Sequence, residues 1–188
     1  MARAIRINHQ ANHAVKPTKW EEFKPFFRPL EVPAKTILLG EGQVSRTMFF
    51  IEKGCLRTWI NSDGKQITTQ FFFEGDTVAS IESFRTDQPS LYNIETIEPC
   101  VLQTVSQRDF QAALDASPDL KKRLEDRLFK RLVQSQQIWY SFLRNNPQKR
   151  YEELIERYPQ IVQRVPQHYI ASYLGITPVS LSRIRNRR

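Results

Sequence analysis

From about Val32 to Val105, hydrophobic and polar residues alternate over short runs, and turn residues separate one run from the next. Such alternation is typical of strands with one buried face. Asp63-Gly64 separates two of the runs, and both residues tolerate the positive φ of a tight hairpin turn. Many short strands at near-regular spacing predict a small barrel or roll. The predicted strands are Thr36–Leu39, Thr47–Ile51, Cys55–Ile60, Gln66–Phe73, Tyr92–Ile97 and Cys100–Val105.

Helical spacing replaces this alternation in the second half of the chain. Ser106 can cap a short helix that ends near Ala116, and Ser117-Pro118 then supplies a cap and a first-turn proline for a new helix. The new helix is expected to reach about Leu143, a length of about 40 Å, because neither Gly nor Pro interrupts it. Such a helix packs against the barrel, a second copy of the chain or both, and burial within one chain is the alternative to dimerisation. Its apolar stripe comprises Leu120, Leu124, Leu128, Leu132, Val133, Trp139, Phe142 and Leu143.

Near the C-terminus, residues 167–187 read QHYIASYLGITPVSLSRIRNR and match the spacing of a helix-turn-helix. Ala171 lies where two helices would approach closely, so a larger side chain would push them apart. Gly175 lies where the chain must turn sharply and can adopt positive φ. Thr177 can cap the second helix, and Pro178 suits its first turn. The small core between the two helices is expected to comprise Ile170, Leu174, Ile176, Leu181 and Ile184.

The outer face of the second helix carries short polar and basic side chains that can reach base edges and phosphates in a DNA major groove. Arg183 could form a two-pronged bond to guanine, whereas Val179 offers only an apolar contact, for example to a thymine methyl group. Arg185, Arg187 and Arg188 would neutralise phosphates. An ordinary helical hairpin that packs against the rest of the protein is the alternative. The predicted DNA-binding residues are Thr177, Val179, Ser180, Ser182, Arg183, Asn186 and Arg187.

Charge distinguishes the two ends of the chain. The sequence contains 28 Lys and Arg against 20 Asp and Glu, a net charge of +8. Residues 144–188 contain nine basic and three acidic residues, whereas residues 1–116 contain 13 basic and 14 acidic residues. Because residues 1–116 are near neutral and residues 144–188 are basic, the charge distribution predicts that the C-terminal part binds a polyanion. A basic surface kept for solubility is the alternative.

Several classes of protein are not favoured. No stretch approaches the roughly 20 apolar residues that cross a bilayer. The polar N-terminus does not resemble a secretory signal, so we expect a cytoplasmic protein without a membrane partner. Cys55 and Cys100 are expected to be buried, reduced thiols. No His, Asp and Glu cluster has metal-ligand spacing, and no Gly-rich phosphate loop occurs, so we expect no enzyme, no catalytic residue, no metal and no cofactor.

The order of these parts resembles the Crp–Fnr family of bacterial regulators, in particular the Crp-like regulators of Bacteroidetes-type bacteria. The most specific piece of the resemblance is RVPQHYIASYLGITPVSLSRIR, residues 164–185. The resemblance implies a cyclic-nucleotide-binding-like β-roll, a dimerising helix and a helix-turn-helix, hence a homodimer that grips a two-fold-related DNA site. In the front domain it rests on Gly42, Phe50-Ile51, Gly54, Asp63-Gly64-Lys65 and Gly75-Asp76.

The nucleotide-binding members of that family carry a Gly-Glu-Leu turn and then an Arg-Ser or Arg-Thr pair, which hold the ribose and the cyclic phosphate. Here Ala79-Ser80-Ile81 occupies the turn, and Ser90-Leu91 lies near the pair. A buried phosphate without a cation is costly, so tight binding of cyclic AMP is not expected. Another effector could bind between the roll and the long helix, although surface and internally satisfied polar residues are the alternative. The candidate effector-binding residues are Glu82, Ser83, Phe84, Ser90, Tyr92, Ser135 and Gln136.

These patterns predict an α+β protein with four parts. A flexible tail over residues 1–17 precedes a jelly-roll-like sensor domain over residues 18–116, which opens with a short helix, Thr18–Phe27. A long dimerisation helix and hinge follow over residues 117–146, and a helix-turn-helix domain occupies residues 147–188. The predicted function is that of a dimeric, sequence-specific transcription regulator that binds DNA, with a small-molecule effector and RNA polymerase as further candidate partners. The alternative is a small-molecule-binding or interaction module that does not bind DNA.

Overall fold

The structure is a computed structural model that describes residues 24–186. The predicted tail over residues 1–17, the first part of the predicted helix Thr18–Phe27, and the terminal Arg187 and Arg188 lie outside these residues. Where that helix was expected to continue, Lys24–Phe26 form one 3-10 turn. Phe26 and Phe27 then pack against a cluster that includes Phe84 and Phe110.

Two antiparallel four-stranded sheets within residues 24–186 form the front domain, which confirms the predicted β-roll. The strands are β1 (Arg28–Val32), β2 (Ile37–Leu39), β3 (Thr47–Lys53), β4 (Leu56–Ser62), β5 (Lys65–Phe72), β6 (Thr77–Val78), β7 (Asn93–Thr96) and β8 (Cys100–Ser106). The sheet orders are β1-β8-β3-β6 and β2-β7-β4-β5. Phe49 and Leu102 of the first sheet and Leu56 and Ile94 of the second belong to one buried cluster, so the roll core lies between the sheets. Strand β6 escaped prediction because two residues carry no periodic signal.

Glycines fix two tight turns of the roll. Asp63 and Gly64 adopt φ of 52° and 77°, which confirms the hairpin predicted between β4 and β5. Gly54, between β3 and β4, has φ of 111°. A Cβ at Gly54 would lie 2.4 Å from the sulfur of Cys100, so a side chain at this position would clash as well as strain the backbone.

Seven α-helices complete the described chain: α1 (Ile81–Thr86), α2 (Gln107–Ala116), α3 (Pro118–Arg144), α4 (Pro147–Arg157), α5 (Ile161–Arg164), α6 (Gln167–Tyr173) and α7 (Pro178–Asn186). The predicted caps are present, because Ser106 accepts a bond from the Asp109 amide and Ser117 one from the Leu120 amide. The turn expected at Ala79-Ser80-Ile81 is instead the start of α1. Ser80 makes no side-chain cap there, so this start lacks the usual signal. None of the helices within residues 24–186 has the length and apolar character that a membrane span requires.

The apolar stripe of the long helix α3 divides into two parts. Leu120 and Leu124 pack against the cluster that contains Phe84, Phe110 and Leu114, so the first turns of α3 rest on α1 and α2. Further along, Arg131 donates a hydrogen bond to the Thr77 carbonyl at 3.0 Å. No residue of α3 is buried, and most of its later apolar side chains are exposed, among them Phe129, Leu132, Trp139 and Leu143.

The C-terminal helices share a core with the roll. Phe71, near the end of β5, and Phe73, just after β5, join a single cluster with Tyr151 of α4, Ile161 of α5 and Leu174 after α6. The ring of Phe73 lies 5.6 Å from that of Tyr158, which follows α4. Residues 147–186 are therefore packed against the roll in this structure.

Candidate nucleic-acid interface

The two helices of the predicted helix-turn-helix enclose a small core. Ile170, Ala171, Leu174 and Leu181 are at most 2% exposed. Ile176 and Ile184 are partly buried and pack against the same cluster. The core predicted from the spacing of these residues is therefore confirmed. Leu181 packs into this core and so anchors α7 to α6.

The turn between α6 and α7 has the predicted conformation. Gly175 adopts φ of 67°, where a residue with a side chain would be strained. Its amide donates to the Ser172 carbonyl at 3.1 Å, and the Ile176 amide donates to the Ala171 carbonyl at 3.0 Å. The Thr177 hydroxyl accepts from the Ser180 amide at 3.1 Å, which confirms Thr177 as the cap of α7.

The structure distributes the predicted DNA-binding residues unevenly. The Ser180 hydroxyl lies 3.0 Å from that of Thr177, so these two groups already satisfy one another. Ser180 is half-buried, and Arg187 lies outside the described residues. Side chains exposed on the outer face of α7 are Val179, Ser182, Arg183 and Asn186, while Arg185 is half-buried. A protruding helix face with one apolar, two uncharged polar and one basic side chain can offer contacts to both bases and phosphates.

The particular contacts between α6 and the roll were not predicted, although the alternative of a helical hairpin includes packing against the rest of the protein. The Ser172 hydroxyl accepts from the Thr68 amide at 2.9 Å and donates to the Gln66 carbonyl at 2.8 Å. The ring centroid of Tyr169 lies 3.7 Å from the guanidinium carbon of Arg57. These contacts fix the first helix of the helix-turn-helix on strand β5, at the free edge of the second sheet.

Arg57 is fully buried inside this contact. Its Nε and Nη2 atoms donate to Oε2 of Glu95 at 2.8 and 2.6 Å, and Nη1 donates to the Thr68 hydroxyl at 3.1 Å. A buried ion pair of this kind is retained only where hydrogen bonds satisfy both partners. The signal that sequence reasoning could have used is the charge of Arg57, which follows the apolar pair Cys55-Leu56 at the start of strand β4.

A second charged contact joins α5 to the roll. Arg164 donates from Nη1 to Glu74 at 2.8 Å, and it also bonds to Glu98. The bond from Arg164 and a further bond from the Gly54 amide lower the pKa of Glu74 to about 2, against the opposing effect of partial burial. Arg164 is therefore occupied by carboxylates of the roll in this arrangement.

The candidate effector-binding residues are placed in two groups. Ser83 and Phe84 are buried, and the Ser83 hydroxyl accepts from the Ser45 amide at 2.8 Å. The Ser90 hydroxyl donates to the Tyr92 carbonyl at 2.7 Å, and the Tyr92 hydroxyl donates to the Ala79 carbonyl at 3.0 Å. The remaining candidates are exposed: Glu82, Ser135 and Gln136.

Arg131 is a cation near this region that sequence reasoning missed. It reaches from α3 to the roll, where its guanidinium lies 4.7 Å from the centroid of the Phe72 ring. Its hydrogen bonds go to the Thr77 carbonyl at 3.0 Å and the Gln70 side chain at 3.5 Å. Burial lowers its pKa, and the nearby carboxylate of Asp76 opposes that shift.

Both cysteines are buried free thiols, as predicted. Burial raises the pKa of Cys100 to about 11 and raises that of Cys55 still further above its usual value. Thiols with such raised pKa values remain protonated and are poor nucleophiles at neutral pH. Among residues 24–186, no group of three or more His, Cys, Asp or Glu side chains is arranged to hold a metal ion.

Residues 29–117 match the family model of the cyclic nucleotide-binding domain, and the fold of the described chain is that of Crp–Fnr-type transcription regulators. The solved structure of the c-di-GMP-responsive global regulator CLP of Xanthomonas campestris superimposes with a TM-score of 0.72 at 17% identity, covering 90% of this chain and 89% of that one. At this identity the likeness concerns the fold alone.

Two curated relatives match about half of the sequence. The Pycsar effector protein XpPycTIR of Xanthomonas perforans is 30% identical over 105 residues, which are 56% of this chain and 33% of the relative. The cAMP-activated global transcriptional regulator CRP of Salmonella typhimurium is 24% identical over 101 residues, which are 53% of this chain and 48% of the relative. The matched part is thus less than half the length of either relative.

Proposed function

We propose that the protein is a dimeric, sequence-specific DNA-binding regulator of transcription. The observation that carries this proposal is the exposed outer face of α7, which sits on the buried Leu181 and presents Ser182, Arg183 and Asn186 to solvent. In a helix-turn-helix, the second helix enters the major groove and such side chains read base edges. The basic excess of residues 144–188 suits a duplex partner.

A seam along α3 supports the dimer. Phe129, Leu132, Trp139 and Leu143 are 68%, 58%, 64% and 66% exposed, and they follow the three–four spacing of a coiled-coil core. Gln136 occupies the one remaining core position of this seam and is also exposed. Large apolar side chains in such a row favour a second copy of the same helix as their cover. A polar residue at a core position would fix the register of the two helices.

The relatives support regulation more than they support any one ligand. CRP of Salmonella typhimurium is a cAMP-activated regulator and CLP is c-di-GMP-responsive, so one fold serves more than one nucleotide. In this chain the polar groups of Ser83, Ser90 and Tyr92 are engaged within the protein. Arg131, a cation that contacts the roll from α3, is committed to Thr77 and Gln70. We therefore propose that the roll is a sensor domain that does not bind cyclic AMP tightly. RNA polymerase remains a predicted partner.

The DNA-binding proposal is tested with a duplex selected by the purified protein from a random-sequence pool. Replacing Arg183 with Ala should weaken binding to the selected duplex by roughly fivefold or more, because a two-pronged bond to guanine is worth about 1–3 kcal/mol. Binding to an unselected duplex should change far less, and the circular dichroism spectrum should be preserved. Arg108→Ala, which removes an exposed arginine on α2, is the matched control and should bind both duplexes like the parent.

Two outcomes would contradict this assignment. If Arg183→Ala binds the selected duplex as tightly as the parent, Arg183 does not read the site. If the parent enriches no duplex from the pool, the interaction-module alternative replaces the regulator. The match of about half of this chain to the effector XpPycTIR is the observation that favours that alternative.

The ligand proposal has its own test. Titration calorimetry of the purified protein with cyclic AMP should detect no binding at micromolar concentration, because a buried cyclic phosphate would have to take Arg131 from Thr77 or remain without a cation. Micromolar or tighter binding would contradict the proposal.

A further inference from the structure

We propose that the contact of α5 and α6 with the roll is a latch that presets the direction of the recognition helix α7 relative to the long helix α3. The latch consists of Arg57, Glu95, Thr68, Glu74 and Glu98 on the roll and of Arg164, Tyr169 and Ser172 on the C-terminal segment. Its role in DNA recognition rests on the function proposed above. Its existence as a contact that opens and closes does not, so the two can be tested separately.

The sheet edge supplies the first part of the latch. Strand β5 is the last strand of its sheet, and beyond it no further strand accepts or donates its backbone bonds within the described chain. Ser172 serves as the hydrogen-bond partner that a further strand would have supplied. Its hydroxyl accepts a bond from the Thr68 amide and donates one to the Gln66 carbonyl. One hydroxyl thus satisfies a donor and an acceptor of the edge at once. If α6 moved away, the Thr68 amide and the Gln66 carbonyl would have to form hydrogen bonds with water instead.

The buried ion pair supplies the second part. Arg57 is 0% exposed, and the ring of Tyr169 lies over its guanidinium, with 3.7 Å between the guanidinium carbon and the ring centroid. The charge is otherwise satisfied within the roll by Glu95 and Thr68. Separating α6 from the roll would therefore remove the cation–aromatic contact without breaking the ion pair, so the roll side of the latch survives opening intact.

The third part is Arg164, held by Glu74 at 2.7 and 2.8 Å and by Glu98. All three parts act on α5 and α6, and none touches α7. The outer face of α7 remains exposed while the latch is closed. The closed latch therefore positions the recognition helix rather than covering it. In a dimer, the two helix-turn-helix units would then already have fixed orientations. Binding both halves of a two-fold site would therefore cost less orientational entropy.

Hydrogen exchange tests the latch without DNA. Ser172→Ala removes both edge bonds and should raise the exchange rate of the Thr68 amide about tenfold, as expected for the loss of one to two hydrogen bonds. Ser62→Ala, the same change at an exposed position of β4, should leave Thr68 exchange unaltered. An unchanged Thr68 rate in Ser172→Ala would overturn the latch, whatever the protein does with DNA.

The DNA arm uses changes on the roll alone, so that no residue near the duplex is altered. Glu74→Gln with Glu98→Gln loosens Arg164, and Glu31→Gln with Glu52→Gln removes the same charge from exposed roll positions as the control. Relative to this control, affinity for a selected two-fold duplex should fall roughly fivefold or more, because the helix-turn-helix units must then be ordered on binding. Affinity for a half-site duplex, made by scrambling one arm, should be equal in the two variants.

The outcomes separate the two proposals. Equal or higher two-fold-site affinity in the Glu74 and Glu98 variant overturns the positioning role, since a contact that blocks binding would strengthen binding when loosened. An equal loss on the half-site also overturns it, because presetting matters only when both helix-turn-helix units engage. Failure of the parent to bind any duplex refutes the proposed function, and Thr68 exchange still decides whether the latch exists.

Discussion

Truncating Leu132 to Ala tests the seam on α3 most directly. The side chain is 58% exposed in the single chain. The change removes three carbons, each worth about 0.8 kcal/mol on full burial, so the exposed fraction corresponds to about 1.4 kcal/mol per copy. Because a two-fold dimer contains the change twice, the dimer should lose about 3 kcal/mol. That loss raises the dimer dissociation constant about a hundredfold.

The assay is sedimentation velocity over a dilution series, which reports the concentration at which dimers dissociate. Leu91→Ala is the matched control, because Leu91 is 68% exposed on the roll and lies off the seam. It should leave dissociation unchanged, and circular dichroism should show that both variants keep their helix content. If Leu132→Ala and Leu91→Ala dissociate at the same concentration as the parent, the seam does not hold the dimer.

Two further predictions concern stability. Leu181→Ala should lower the free energy of unfolding by about 2–5 kcal/mol, because it leaves a cavity under α7. Val179→Ala, on the exposed face of the same helix, should stay within about 0.5 kcal/mol of the parent in a urea titration, and equal losses would refute the core assignment. The pKa of Glu74 falls from 4.5 to about 2 on folding, chiefly through its bond from Arg164. Its stabilising contribution is therefore complete above pH 4.5 and is lost as the pH falls through about 2. Glu74→Gln should accordingly show a smaller drop in urea midpoint between pH 5 and pH 3 than the parent, and an equal drop would contradict the pairing.

Local signals account for the parts of the fold that could be predicted. Asp63-Gly64, Ser117-Pro118 and Gly175 each determine backbone geometry within a few residues, so a turn, a helix start and a second turn followed from the sequence. The spacing of Ile170 and Leu181 likewise reported one face of each helix in the helix-turn-helix. Short elements such as β6 and α1 lack both a period and a cap, and they were missed.

Contacts between distant segments could not be predicted in the same way. Tyr169 and Arg57 are more than a hundred positions apart, and neither residue type specifies the other as a partner. The stripe on α3 shows the same limit, because the spacing of its leucines does not say which of them face the chain itself. In the structure, Leu124 packs against the cluster of the roll, α1 and α2, whereas Leu132 is exposed to solvent.

The Ser172 hydroxyl on strand β5 also bears on how the protein avoids aggregation. A bare edge strand is a template to which a strand of another molecule can add. Here the C-terminal segment shields that template, and the neighbouring Phe71 and Phe73 are covered at the same time. We expect a chain cut off after α3 to lose this cover and to become prone to self-association. By covering the edge of β5, the helix-turn-helix is therefore also expected to protect the roll from self-association.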